Sequence, residues 1–189
     1  MASTLKINNL DTASGTTITV PTGKQLIATD TGGLKAPGTI VQITNGVLKT
    51  RAQTASTSST STGLTASITP KFSTSKVLVQ VTGGWGIDEH NLCKFQLYRG
   101  GSNIISGTSG NNWGIFQHQI TGGSNGSTAS QGFHTAMVLS YMDSPSSTSS
   151  LTYQLNFYGD NAGATSSFNG RPQASEPGYA QMILTEIAQ

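Results

Sequence analysis

Residues Ser140–Gly159 read SYMDSPSSTSSLTYQLNFYG and contain a turn followed by a strand of regular alternation. The turn is predicted at Asp143, Ser144 and Pro145, residue types that favour tight changes of chain direction. After the Ser/Thr-rich loop, apolar and polar side chains alternate with a period of two, which is typical of a β-strand with one buried face. The apolar set is Leu151, Tyr153, Leu155 and Phe157. We therefore predict β architecture, with this set facing a core.

The amino-acid composition argues against long exposed helices. Only 10% of the 189 residues are charged, whereas about a quarter are charged in an average globular protein. Ser and Thr together make up about a quarter of the chain, and there are 23 glycines. Because exposed helices normally carry Glu, Lys and Arg on their solvent faces, the composition favours strands and loops.

Charge and hydropathy exclude several classes of partner. The formal net charge of +2 comes from scattered Lys and Arg, without the basic stripe that a nucleic-acid or anionic-membrane surface requires. There is no run of 18 apolar residues, and the first ten residues lack the basic start and apolar run of a signal peptide. We therefore expect no nucleic-acid partner, no membrane insertion and folding in the cytoplasm. The single cysteine, Cys93, excludes an internal disulfide and is predicted to be a small buried hydrophobe.

The chain divides near Pro37. Three short strand-like pieces precede this residue, at Leu5–Leu10, Thr16–Pro21 and Lys24–Asp30. They carry too few large apolar groups to fold alone. Residues 1–36 are therefore predicted to be an extended anchor that packs against the main domain, neighbouring subunits or a larger particle. Residues 37–189 are predicted to be one β-domain.

The main domain shows the pattern of several short antiparallel strands. Asn45-Gly46 lies between two apolar-bearing runs and predicts a β-hairpin with a two-residue turn. The Ser/Thr-rich residues Thr54–Thr62 are expected to form a loop or a weak edge. Alternation predicts further strands around Leu64, Ala66 and Ile68; Val77, Val79 and Val81; Cys93, Phe95 and Leu97; and Ile183 and Ile187. With six to eight strands and no helical pattern between them, the predicted fold is all-β, an antiparallel β-sandwich or jelly roll.

Catalytic motifs are few. Residues 122–126 fit the letters of a G-x-S-x-G nucleophile motif, but the hydrophobic strand and the helix that such a motif requires on either side are missing. Asp88, Glu89 and His90 are adjacent, and neighbouring residues of a strand point to opposite faces. We therefore predict no enzymatic activity, no catalytic residue, no cofactor and no metal site.

A binding function is better supported, because many aromatic residues stand beside Gly, Asn, Asp or Gln. Such mixtures form sugar-binding surfaces, where a ring stacks on a pyranose and amides bond its hydroxyls. The same rings could instead fill the core or anchor a subunit interface. In the Gly-rich tract 100–130, the leading candidates for contact with a host glycan are Asn111, Asn112, Trp113 and Phe116.

Several segments resemble short virion proteins of bacteriophages, of the fibre or spike type. The resemblance rests on the opening MASTLKINNLDTASGTTITVPTG, on GLTASITPKFSTSKVLVQVTGG at Gly63–Gly84, on the Tyr-Met-Asp-Ser-Pro turn with its following Leu-Thr-Tyr strand, and on LTEIA near the end of the chain. It implies a homotrimer, a jelly-roll head that contacts the host surface, and docking to other virion proteins through residues 1–36. A capsid decoration protein of the same fold and a free carbohydrate-binding lectin are the alternatives.

Overall fold

The protein is built from β-strands. A computed structural model describes residues 20–87, 92–105, 116–119, 133–159, 162, 164–170 and 177–189. Within these residues there are eleven strands and no helix, which confirms the all-β prediction. The strands are β1 (Ile40–Leu48), β2 (Ala52–Thr54), β3 (Thr60–Ile68), β4 (Lys76–Ile87), β5 (Leu92–Arg99), β6 (Ser102–Asn103), β7 (Phe116–Gln119), β8 (Phe133–Asp143), β9 (Leu151–Gly159), β10 (Ser166–Phe168) and β11 (Ala180–Ile187).

Six of these strands form one antiparallel sheet around β4, the longest strand. One edge of β4 pairs with β8. The other edge pairs with β11 through its first half and with β10 near its end. β1 flanks β11, and β2 flanks β10. This is called the six-stranded sheet below.

The remaining strands form the five-stranded sheet, which is also antiparallel. Its order is β3, β9, β5, with β6 and β7 both pairing with the far edge of β5. Side chains of both sheets contribute to one core, as expected for a β-sandwich. Jelly-roll connectivity stays a prediction.

The core confirms most of the alternation seen in the sequence. The inward set of β9, formed by Tyr153, Leu155 and Phe157, is fully buried, while Leu151 at the strand start is half-buried. Also buried are the predicted sets Leu64, Ala66 and Ile68; Val77, Val79 and Val81; and Cys93, Phe95 and Leu97. In β11 the buried apolar residues are Ala180, Met182 and Leu184, whereas Ile183 and Ile187 are half-buried on the outer face.

The predicted hairpin at Asn45-Gly46 is wrong. β1 runs straight through both residues, and Gly46 pairs with Met182 of β11. A Cβ atom added to Gly46 would lie 1.7 Å from the backbone oxygen of Thr65 in β3. The glycine is therefore explained by a close approach between two strands and not by a turn.

The same two strands join the edges of the two sheets. Thr44 Oγ1 donates a hydrogen bond to the Ser67 carbonyl at 2.9 Å, and Gln42 Nε2 donates to the Thr69 carbonyl at 2.7 Å. These bonds satisfy backbone carbonyls of β3 and of the residue that follows it, which would otherwise be open to another strand.

A buried polar cluster links β5, β8 and β9 where the Asp-Ser-Pro segment begins. Asp143 Oδ2 lies 2.5 Å from Arg99 Nη1 and accepts a hydrogen bond from the Tyr153 hydroxyl at 2.6 Å. Burial, together with the bond to Asp143, raises the pKa of Tyr153, so the hydroxyl stays a donor. Asp143 therefore fixes the point at which the chain leaves the six-stranded sheet for the five-stranded one.

The segment before β1 differs from the sequence prediction. Lys24–Asp30 does not form a strand, and residues 20–36 are almost entirely exposed. The segment reaches the domain through Lys35, whose Nζ lies 4.9 Å from the centroid of the Phe72 ring. The predicted strand at Leu5–Leu10 and nearly all of the one at Thr16–Pro21 lie outside the described residues.

We predict that Leu155→Ala lowers the free energy of unfolding by about 2 to 5 kcal/mol, the range for truncating a large buried aliphatic side chain. Thr152→Ala, on the exposed face of the same strand, is the matched control and should cost far less. Urea unfolding followed by tryptophan fluorescence measures both values. Equal losses would contradict a strand with one buried face.

Candidate functional site

The predicted glycan-contact residues are only partly within the described chain. Asn111, Asn112 and Trp113 lie outside the described residues, and so do residues 88–90 and 122–126. Phe116 is the first residue of β7, where its backbone pairs with Phe95 of β5. The contact predicted for these four residues stays a prediction.

The described aromatic residues fall into separate classes. Trp85 and Phe168 are fully buried and pack with Phe95, at centroid distances of 6.2 and 5.8 Å, so these two rings fill the core. Tyr141 is half-buried and donates its hydroxyl to the Ile104 carbonyl at 3.3 Å. Tyr179 is exposed. Tyr158 differs from all of these because it lies on the outer face of the five-stranded sheet.

Tyr158 belongs to a polar patch formed by two paired strands. The register sets Lys94 opposite Tyr158, Gln96 opposite Asn156, and Tyr98 opposite Gln154. Paired residues of an antiparallel ladder share a face. These six side chains alternate with the core residues of β5 and β9, so they form one continuous outer surface of two tyrosines, three amides and one lysine.

The loop between β2 and β3 turns this surface into a cleft. The Gly159 amide donates to the Ser56 carbonyl at 2.9 Å, and Asn156 Nδ2 donates to Ser59 Oγ at 3.1 Å, which holds the loop beside the sheet. The resulting cleft has a volume of about 250 Å³. It is lined by Thr57, Ser58, Ser59, Gln96, Tyr98 and Tyr158.

Hydrogen bonds between neighbours orient Gln96 and Tyr98 in the cleft wall and the amides of Asn156 and Gln154 beside it. Gln154 Nε2 donates to Asn156 Oδ1 at 2.7 Å, and the Tyr98 hydroxyl donates to Gln96 Oε1 at 3.4 Å. Gln96 and Asn156 are only 4% and 8% exposed, so their amides are held in a confined space. An amide has two donor hydrogens and two acceptor lone pairs, so each of them retains capacity for a further polar partner.

The cleft is lined by neutral polar groups and aromatic rings. Its described lining residues are hydroxyl, amide and phenol groups, without an acid, a histidine or a cysteine that could act on a substrate. Cys93 lies on the core side of β5, and burial raises its pKa to about 12, so it is not a reactive thiol at neutral pH. In the part of the chain that the structure describes, no group of three or more His, Cys, Asp or Glu side chains could hold a metal ion.

Comparison of the sequence with protein-family models and with curated proteins finds no match. Over the described ranges, the chain has no helix long and apolar enough to cross a membrane. Its surfaces must therefore be interpreted from their own chemistry.

A second surface stands out on the opposite side of the molecule, on the outer face of the six-stranded sheet. Three rows of paired side chains cross β1, β11, β4 and β8. The rows are Ile43, Thr185, Leu78 and Met142; Asn45, Ile183, Gln80 and Ser140; and Val47, Gln181, Thr82 and Val138. Six of these twelve residues are apolar and the other six are uncharged polar residues, and we call the set the apolar face. Val138 is 73% exposed and Ile43 60% exposed, so no described part of the chain covers them.

Sequence reasoning missed the cleft and the apolar face. Gln96, Tyr98 and Gln154 occur at the polar positions of alternating strands, where solvent contact is the ordinary expectation. What sets them apart is the pairing of β5 with β9 and the position of the Ser56–Ser59 loop. The apolar face had a signal in the sequence, the apolar residues at consecutive positions in β11, but only the spacing of Ile183 and Ile187 was used, to predict a strand.

Proposed function

We propose that this chain is a structural protein of a bacteriophage particle, a homotrimeric fibre or spike. Its β-domain, residues 37–189, is the head that contacts the host surface, and residues 1–36 dock onto other virion proteins. The observation that carries this proposal is the apolar face, since an isolated domain gains nothing from exposing such a surface. The segment resemblances to phage virion proteins support the same assignment.

A second copy of this chain is the occupant that fits the apolar face best. None of its twelve residues is charged, so identical faces can approach without like-charge repulsion. Charged residues are depleted at the centres of subunit interfaces in the same way. The face spans about 14 Å from β1 to β8 at the usual strand spacing, which allows three copies to enclose a common axis with one sheet each.

Exposed apolar side chains before β1 are consistent with a docking role for that segment. Leu26, Ile27 and Leu34 are each more than half exposed. Their positions give the N-terminal segment an apolar strip that the described domain does not cover. In the proposed assembly these side chains become buried against neighbouring subunits or other virion proteins.

The trimer is tested by light scattering of the purified protein, which should give three times the chain mass of 19.6 kDa. Val138→Glu should convert this species to a monomer at micromolar concentration, because every interface would then bury an unpaired carboxylate. Thr152→Glu adds the same charge to the outer face of the five-stranded sheet and should remain trimeric. A wild-type monomer would contradict the trimer, and a trimeric Val138→Glu variant would contradict the apolar face as its interface.

The place in the particle is tested by electron microscopy of purified virions labelled with an antibody against this chain. Labelling at the tail is the result expected for a fibre or spike. Labelling over the capsid faces would instead identify a decoration protein. Absence of label from intact particles would overturn the virion assignment and favour a free lectin.

A further inference from the structure

We propose that the cleft between the Ser56–Ser59 loop and the β5–β9 strand pair is a binding site for a neutral pyranose sugar. The ligand class is a glycan built from uncharged hexose or N-acetylhexosamine units. The proposal deepens the suggested host contact and, as a biological role, rests on it. The site itself consists only of described residues and does not include Asn111, Asn112 or Trp113.

The two tyrosines supply the apolar part of sugar recognition. One side of a pyranose ring presents C–H groups, and these pack on an aromatic face while the polar edge of the phenol remains hydrated. Tyr98 is half-buried, so part of its ring remains open to solvent beside the cleft. Tyr158 lies deeper, at 8% exposure, and forms part of the inner wall. The cleft therefore offers one accessible ring for stacking and a second ring that closes the site.

The amides supply the polar part. A sugar ring carries hydroxyl groups that both donate and accept hydrogen bonds. A carboxamide matches them because its NH₂ group donates and its oxygen accepts. Gln96 and Asn156 face each other across the ladder, and Gln154 holds Asn156 in place at 2.7 Å. Because these side chains project from paired strands, their positions are fixed before a ligand arrives, which lowers the entropy cost of binding.

The size of the cleft limits what it can enclose. A volume of about 250 Å³ is somewhat below the roughly 300–1,000 Å³ of pockets that bury drug-sized ligands. A terminal sugar unit fits this volume better than a long internal stretch of polysaccharide. The loop hydroxyls of Thr57, Ser58 and Ser59 lie at the rim, where they can bond the outer hydroxyls of the same unit.

The lining residues of the cleft offer an anionic ligand no charged partner. Lys94 belongs to the outer surface beside the cleft, and its Nζ lies over the Tyr158 ring at 5.4 Å from the centroid. Its charge is thus already engaged with an aromatic face. Sulfated sugars and single-stranded nucleic acids both require several cations along their path, which the described lining residues do not provide. A neutral glycan meets no such requirement.

The test is binding of the purified full chain to labelled oligosaccharides of glucose, galactose, mannose and N-acetylglucosamine, with sulfated and sialylated oligosaccharides on the same array, followed by titration calorimetry. We expect saturable binding to at least one of them. Tyr98→Ala should weaken it by at least about tenfold, as expected when an aromatic anchor is removed. Tyr98→Phe, which keeps the ring, should retain most of the affinity, and Tyr179→Ala removes an exposed tyrosine elsewhere and should leave binding unchanged.

Three outcomes would overturn the site: no binding to any neutral sugar, binding restricted to sulfated or sialylated sugars, or full binding by Tyr98→Ala. Thermal denaturation of each variant identifies any loss of affinity that comes from unfolding, and Gln96→Ala, which removes the amide that lines the cleft, then serves as a second probe. Sugar binding by the isolated protein does not depend on the virion assignment. A positive array with unlabelled particles would support the cleft and reject the virion role, whereas labelled particles with a negative array would reject the cleft alone.

Discussion

Gly46→Ala should remove most of the stability of the β-domain, although it adds only one methyl group. The new Cβ would lie 1.7 Å from the Thr65 backbone oxygen and 2.7 Å from the Thr65 carbonyl carbon. The Thr65 backbone cannot move away, since β3 is paired with β9, and β1, which carries Gly46, is held by β11. We expect the free energy of unfolding to fall by more than about 3 kcal/mol, beyond the usual cost of overpacking.

Gly84→Ala is the matched control. Gly84 also lies within a strand, but its added Cβ would meet the Nε2 atom of His134 at 2.7 Å, and that exposed ring can turn aside. Its cost should stay within about 1 kcal/mol, typical of a tolerated surface change. Chemical denaturation of both variants makes the comparison. Similar losses in the two would contradict the close approach of β1 and β3.

The Gly46 experiment also separates two interpretations of the same dipeptide. Asn-Gly is a strong local signal for a two-residue turn because both residues tolerate positive φ. In this chain Gly46 is needed for a contact with β3, nineteen residues further along the chain. A local rule cannot detect a requirement that arises only when two sheets pack, which is why the sequence predicted a hairpin at this place.

The core residues were more predictable from the sequence than this close contact between strands. A strand that buries one face must alternate, and this alternation is visible in Val77, Val79 and Val81 and in Tyr153, Leu155 and Phe157. The rule loses its power where both faces of a strand carry apolar groups. In β11 Met182 and Leu184 face the core while Ile183 and Ile187 face outward, and the pattern alone does not distinguish the two sets.

The cleft and the apolar face could not be predicted from the sequence for a related reason. Each consists of residues from strands far apart in the chain, brought together by register. Tyr98 meets Gln154 only because β5 pairs with β9, and Val138 joins Val47 only through the strands β4 and β11 between them. Sequence reasoning recognised that aromatic and amide residues suit glycan contact and predicted such contact in a Gly-rich tract, since the pairing of β5 with β9 is not visible in the sequence.

Asn169→Asp should be the second severe substitution, although the two side chains have nearly the same shape. Asn169 is fully buried and has φ of 61°, a conformation that Asn tolerates better than most residues. Its Nδ2 lies 2.9 Å from the Leu48 carbonyl, 3.1 Å from that of Thr50 and 2.9 Å from that of Gly178. This one amide therefore joins the end of β1, the link to β2 and the segment before β11.

An aspartate at this position would set carboxylate oxygens against three carbonyl oxygens in a buried space. The three acceptors would lose their donor, and the charge would have no partner, so we expect a loss of about 3 kcal/mol or more in the free energy of unfolding at neutral pH. The loss should shrink as the pH falls, because a protonated acid can donate one hydrogen bond and carries no charge. Urea denaturation at several pH values follows both effects.

Asn103→Asp is the control. It makes the same chemical change at a residue whose side chain accepts a hydrogen bond through its oxygen, whereas Asn169 donates through its NH₂ group. The Oδ1 atom of Asn103 accepts a hydrogen bond from the Ile105 amide at 3.0 Å. A carboxylate oxygen accepts that bond equally well, and the residue is only half-buried, so stability should hardly change. If both variants lost the same stability, the cost would come from the added charge in general. A loss confined to Asn169→Asp would show that the buried NH₂ donor holds the three carbonyls, and with them the junction between β1, β10 and β11.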